Sequence, residues 1–155
     1  MLDKIFDPKK IDKKNYELEE KLGIFNSDVN SKNKSFCIMM PPPNVTGVLH
    51  MGHALNFTLQ DIIVRYKRLN GINVLWQPGT DHAGIATQIV VEKELNKKNQ
   101  NRQNLGKENF IKKVWDWKKK SGNQIVSQMR QLGVSADWSR ERFTMDDDLS
   151  KTVKK

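Results

Sequence analysis

"FCIMMPPPNVTGVLHMGHALNFTLQDIIVRYKRLNGINVLW", Phe36 to Trp76, holds two short apolar runs on either side of a long amphipathic stretch. Phe36–Met40 is continuous and apolar, bounded by a polar loop and by three prolines, which predicts a buried strand. A helix is expected to begin near Leu49 or His50. Leu55, Leu59, Ile62, Ile63 and Tyr66 then follow at i, i+4, i+7, i+8 and i+11, one apolar face at the helical period. Gly71 supplies a stop, and Ile72–Trp76 reads as a second strand closed by Pro78 and Gly79. Strand, long helix, strand is the right-handed crossover of a parallel sheet, so the fold class is α/β.

On the N-terminal side, residues 1–14 read as a polar arm and Tyr16–Phe25 as a short helix ending at Gly23. Asn26–Ser35 is a loop by composition. On the C-terminal side, helices are expected over Ile85–Lys97 and Asn109–Leu132. In the second, Phe110, Val114, Trp117, Ile125, Met129 and Leu132 keep helical spacing, and Gly122 weakens the middle.

The composition bounds the rest. A chain of 155 residues with 37% apolar and 29% charged side chains suits one globular domain. No apolar run approaches the roughly 20 residues that span a bilayer, so no membrane association is expected. "MLDKIFDPKK" lacks the apolar core of a secretory signal. Cys37 is the single cysteine, which excludes an intrachain disulfide and suits a reducing, cytoplasmic setting. The formal charge is +9, and residues 91–155, with 16 basic and 9 acidic side chains, hold +7 of it. That half could meet nucleic-acid phosphates, or it could reflect a general abundance of lysine.

The loop between strand and helix is a natural phosphate site, because the first N–H groups of a helix lack partners and carry the positive end of its dipole. His50 and His53, three residues apart, share a face there. Gly47 and Gly52 have the outer spacing of a Walker loop, but His53 and Ala54 stand where Lys and Ser or Thr are needed, which argues against a P-loop ATPase. His50, His53, His82 and Cys37 are ligand types for zinc, without the short second spacing of a zinc site. The bland alternative is two surface histidines; Gly52 weighs against it, since glycine in a first helical turn costs about 1 kcal/mol against alanine. A second cluster, "PGTDHAGIATQ" (Pro78–Gln88), follows the second strand at its C-terminal end, the edge where parallel sheets bind ligands. Asp81 could meet a ligand ammonium group or cap the following helix.

"PPPNVTGVLHMGH" resembles the HIGH region of class I aminoacyl-tRNA synthetases, with His50-Met51-Gly52-His53 as the signature. Within that class, "LWQPGTDHAGIATQIVVE" (Leu75–Glu92) and "LGVSADWSRERFTMD" (Leu132–Asp146) resemble the valyl enzymes. Isoleucyl enzymes tend to read Trp-Asp-Cys-His-Gly, and leucyl enzymes Trp-Asp-Ala-Phe-Gly, where this chain has Thr80 to Gly84.

The resemblance implies the first half of a Rossmann-like parallel-sheet nucleotide-binding domain, with residues 1–34 as an N-terminal arm and short helix and residues 35–155 as the N-terminal half of the catalytic domain. It implies ATP-dependent activation of valine to valyl-adenylate and transfer to tRNA(Val), with magnesium on the ATP phosphates. The valine carboxylate is itself the nucleophile, so catalysis is positioning and charge stabilisation. His50 and His53 are the implied catalytic residues. Pro43, Asn44, Val45, Thr46 and Gly47, with His50, Met51, Gly52 and His53, are the implied ATP-binding residues. Pro42 and Asp81 are implied to hold the amino acid, Asp81 facing its ammonium group; no protein-bound metal is implied. An apolar valine pocket cannot strongly reject threonine, of which the valyl enzymes are the usual example, and nothing in this chain resembles the editing domain. Family members are several times longer, so the expectation is a truncated piece, inactive alone, whose partner is the missing C-terminal part. "KKKSG" (Lys118–Gly122), which echoes the family's KMSKS loop, lies within a predicted helix and reads as helix surface. A nucleotide- or tRNA-binding module without catalysis and, more remotely, a zinc hydrolase are the alternatives.

Overall fold

The computed structural model describes residues 8–154. Residues 1–7 of the predicted polar arm lie outside the described residues, and the helix that follows, α1, already begins at Pro8 and runs to Lys21. The chain divides into two compact units that interleave along the sequence. The first comprises residues 1–40, 54–78 and 129–141; the second comprises 41–53, 79–128 and 142–155.

The first unit contains a parallel two-stranded sheet. Strand β1 (Ser35–Met39) pairs with β2 (Asn73–Gln77) in register from Ser35↔Asn73 to Met39↔Gln77. Between them in sequence lies α2 (Met51–Leu69), which completes the predicted β–α–β unit. The helix ends as its sequence foretells: Ile72 N–H donates to Lys67 O and Gly71 N–H to Arg68 O, the paired bonds of a Schellman ending. Phe57, Val64, Val74 and Trp76 are buried in this unit together with Tyr16, Phe25, Val134, Ala136 and Trp138.

Two expectations are corrected here. Strand β1 is not fully buried: Phe36 and Ile38 are half-buried, whereas Cys37 and Met39 on the other face are exposed. The predicted core face of α2 points outward, with Leu55, Leu59, Ile62, Ile63 and Tyr66 between 44% and 63% exposed. The inward face is Phe57, Gln60, Asp61, Val64 and Arg68, which pairs two apolar anchors with polar groups that find partners. Asp61 accepts from Ser135 N–H at 2.9 Å and from Arg65 Nε at 2.6 Å. Arg68 donates to Ser135 Oγ and Phe25 O, and Gln60 Oε1 accepts from Trp76 Nε1. Satisfied polar groups can line an interior, and here they decide which side of the helix faces in.

The second unit is built around α3 (Ile85–Asn96), α4 (Arg102–Leu105) and most of α5 (Lys107–Gln131). Val91, Leu95 and Phe110 form its buried cluster, with Leu105, Val114 and Trp117 packed against it. Gly122 does not interrupt α5 and is buried. Leu132, expected on the apolar face, is 43% exposed. Two very short strands, β3 (Gly79–Thr80) and β4 (Arg142–Phe143), pair in parallel, and α6 (Asp147–Val153) follows. Lys118–Gly122 lies within α5, as expected for helix surface.

Candidate active site

The second unit brings the proline loop and the "GTDH" segment together through their backbones. Asn44 forms a parallel bridge with Asp81. Val45 N–H donates to Asp81 O and Asp81 N–H donates to Pro43 O, both at 2.9 Å. On its other side the segment is held by β4. Gly79 stands so close that a Cβ would come within 2.8 Å of Arg142 O; only glycine admits that approach. Asp81 is thus fixed by Asn44, 37 residues before it, and by the pairing of the adjoining β3 with a strand about 60 residues later.

Helix α5 pins the loop that leads to the histidines. Trp117 Nε1 donates to Val45 O at 2.7 Å, Ser121 Oγ to Gly47 O at 3.1 Å, and Leu49 N–H to Gln128 Oε1 at 3.0 Å. Residues 117, 121 and 128 fall on one helical face. Beyond its bridge to Asp81, the loop thus finds partners for Val45 O, Gly47 O and Leu49 N–H in these three side chains.

His50 and His53 meet at the start of α2, their ring centroids 4.0 Å apart at 45°. His50 Nδ1 accepts from Gly52 N–H at 3.1 Å, and His53 Nδ1 accepts from His50 N–H at 3.2 Å. Each Nδ1 is therefore an acceptor for a helix-start N–H, so in the neutral ring the proton sits on Nε2. His50 is exposed and His53 half-buried. Burial first, and the neighbouring His50 second, hold the His53 imidazole below its ordinary pKa of 6.5. Gly52 has a local reason in this structure: a Cβ there would lie 2.9 Å from His50 Cε1, so the missing side chain makes room for the His50 ring. Two N–H donors at a helix N-terminus can meet a polyphosphate.

Asp81 and His82 have a partner that sequence reasoning missed. Thr144 Oγ1 donates to Asp81 Oδ1 at 2.9 Å. The same hydroxyl accepts from His82 N–H at 2.9 Å and lies 2.6 Å from His82 Nδ1. His82 also forms part of the wall of a cavity of about 500 Å³, whose apolar side is Phe110, Val114, Trp115 and Phe143. Ala83, next in sequence, has φ of 52°, the left-handed region that non-glycine residues rarely occupy. The signal for Thr144 was present in the "FTMD" block, but nothing local tied it to a residue 63 positions earlier.

Cys37 belongs to the first unit and the three histidines to the second. Among the described residues no group of three or more His, Cys, Asp or Glu side chains converges as a metal ion would need. Pro42 and Asn44 are exposed, Pro43 and Val45 buried, and Thr46 and Gly47 half-buried.

The family model described as tRNA synthetases class I (I, L, M and V) matches residues 14–155. The valine–tRNA ligase of a Nitratiruptor species is 60% identical over 152 residues, covering 96% of this chain and 18% of the relative. That of Gluconobacter oxydans is 57% identical over 155 residues, covering all of this chain and 18% of the relative. The chain therefore spans less than a fifth of the length of these curated relatives. Among solved structures, the LeuRS of Agrobacterium radiobacter K84, in a ternary complex with tRNA and LeuAMS, superposes with a TM-score of 0.77 at 21% identity, over 94% of this chain and 17% of that one. That likeness establishes the Rossmann-like parallel α/β fold.

Proposed function

Because this chain belongs to the class I tRNA synthetases, we propose that it supplies the ATP- and valine-binding part of a cytoplasmic valine–tRNA ligase. The reaction joins the valine carboxylate to the α-phosphorus of ATP, releasing pyrophosphate, and the valyl group then passes to the 3′ end of tRNA(Val). His50 and His53 donate to the phosphates, where negative charge builds as the leaving group departs. Pro43 to Gly47 and His50 to His53 bind the nucleotide. Pro42 and Asp81 hold valine, Asp81 pairing with its ammonium group. Magnesium travels with the nucleotide on phosphate oxygens, and no residue of this chain is assigned to it. Residues 1–34 serve as an arm and short helix ahead of the catalytic part, which begins at residue 35. No helix among the described residues is long and apolar enough to cross a membrane.

The observation that carries this reading is the pairing of two features in one unit. The histidine pair keeps its Nδ1 atoms engaged at a helix start, and Asp81 is laced to the loop that leads there. The remaining parts of the synthetase act as partner and cover the apolar stripe of α2. More than four fifths of each relative's length lies outside the matched stretch, which supports that occupant over a second copy of this chain.

The test is an NMR titration of the chain with a sulfamoyl analogue of valyl-adenylate. Shifts at His50, His53 and Asp81 are expected; perturbation confined to other residues overturns the assignment. A binding module without ligase chemistry draws on the +7 of residues 91–155. Valine-dependent ATP–pyrophosphate exchange, absent for this chain alone and restored on adding the rest of the Nitratiruptor ligase, favours the ligase over that module.

A further inference from the structure

We infer that Thr144 is a positioning residue that holds Asp81 in one orientation and fixes the proton of His82 on Nδ1. The inference rests on the reading of Asp81 as the ammonium-binding carboxylate and deepens it.

The β3–β4 pairing delivers the hydroxyl. Thr144 directly follows β4, and its N–H continues the ladder to Thr80 O at 3.2 Å. A threonine hydroxyl has one proton and two acceptor lone pairs. His82 N–H uses one lone pair, at 2.9 Å. Asp81 Oδ1, at 2.9 Å, belongs to a group that only accepts when ionised, so the hydroxyl proton goes to it. His82 Nδ1, 2.6 Å from the same oxygen, must then be a donor into the second lone pair. His82 Nδ1 itself also lies 3.3 Å from Asp81 Oδ1. With Asp81 ionised, no other assignment of a neutral His82 ring satisfies all three contacts. The hydroxyl is saturated, and the neutral His82 ring keeps Nε2 as an acceptor.

Both contacts to Asp81 fall on Oδ1. Among the described residues no hydrogen bond or ion pair engages Oδ2, and the side chain is 32% exposed. The carboxylate is thus gripped by one oxygen while the other remains for an incoming cation. A β-branched side chain has few χ1 choices, so threonine holds the hydroxyl in place more firmly than serine.

The 155-residue chain with 15N-labelled imidazoles tests this at pH 8. Long-range 1H–15N spectra should show His82 as the Nδ1–H tautomer in the wild type and in Thr144→Ser, and the signal should move toward the Nε2–H form in Thr144→Val. An Nε2–H tautomer in the wild type overturns the inference, and so does an unchanged His82 in a folded Thr144→Val chain. Should the valine variant fail to fold, the wild-type and serine spectra still decide. The second readout is affinity for the sulfamoyl analogue of valyl-adenylate. Thr144→Val should weaken it about tenfold, the scale of a hydrogen bond to a charged group, with serine restoring most of it. Loss of affinity in Asp81→Asn but wild-type affinity in Thr144→Val overturns the positioning role. Wild-type affinity in Asp81→Asn with the expected tautomers instead overturns the reading of Asp81 and leaves the proton assignment standing.

Discussion

The imidazole of His50 lies with its centroid 4.0 Å from that of His53, and each ring accepts a backbone N–H through Nδ1. Two cationic rings at that distance repel, and His53 is also partly desolvated. The folded state therefore favours neutral His53. Its stabilising contribution is complete above the unfolded value of 6.5 and is lost as pH falls through the lower folded value. An NMR titration should give His53 a midpoint below 6.5. His50→Gln should raise that midpoint only part of the way, because burial is the larger cause. Full restoration to 6.5 would reverse the order of the two causes.

Gly52 connects the fold to this pair. Alanine there would gain about 0.5–1 kcal/mol of helix propensity, yet its Cβ would come within 2.9 Å of His50 Cε1. The ring is the movable partner, so stability should stay within about 1 kcal/mol of wild type while His50 swings away and loses the Gly52 N–H. Urea denaturation reads the first expectation and the His50 15N shifts read the second. Unmoved His50 signals in Gly52→Ala would show that glycine is dispensable to the ring's placement.

The order of elements was legible because prolines and glycines punctuate it. Both strands of the β–α–β unit, α3 and α5 fall within one or two residues of their expected ends. The site's two loops were legible for the same reason. Three things were not. Hydrophobic periodicity finds a stripe on α2 but does not say that Asp61, Arg68 and Gln60 will face inward, because their partners at Ser135, Phe25 and Trp76 are set by tertiary structure. Trp117 reads as an apolar helix position, although its indole N–H serves Val45 O across 72 residues. Strands of two residues, such as β3 and β4, are too short for any period, and so Thr144 went unseen.

The outward stripe of α2 gives a sharp contrast. Leu59→Lys with Ile63→Lys should leave the stability of this chain within about 0.5 kcal/mol, since both side chains already meet solvent. Phe57→Ala, from the buried face of the same helix, should cost about 3–5 kcal/mol. The lysine pair should abolish association with the rest of the Nitratiruptor ligase, measured by size-exclusion chromatography of the mixed polypeptides. Association undiminished by the two lysines would place the contact elsewhere.

Tyr16 carries the last prediction. Its hydroxyl donates to Val134 O at 2.7 Å and accepts from Trp138 Nε1 at 2.7 Å, both bonds buried. It ties α1 to the segment after α5 within the first unit. Tyr16→Phe leaves a carbonyl and an indole N–H without their partner, which should cost about 1–3 kcal/mol, read as a lower urea midpoint with an unchanged slope. Burial is the main reason its pKa is pushed up from 10.0 to about 12. The neutral phenol is what the fold accepts, so its contribution is fully present below pH 10 and is lost as pH rises through about 12. Stability measured between those limits should fall more steeply in the wild type than in Tyr16→Phe. Equal slopes for the two proteins would mean that the phenol ionises without opposing the fold.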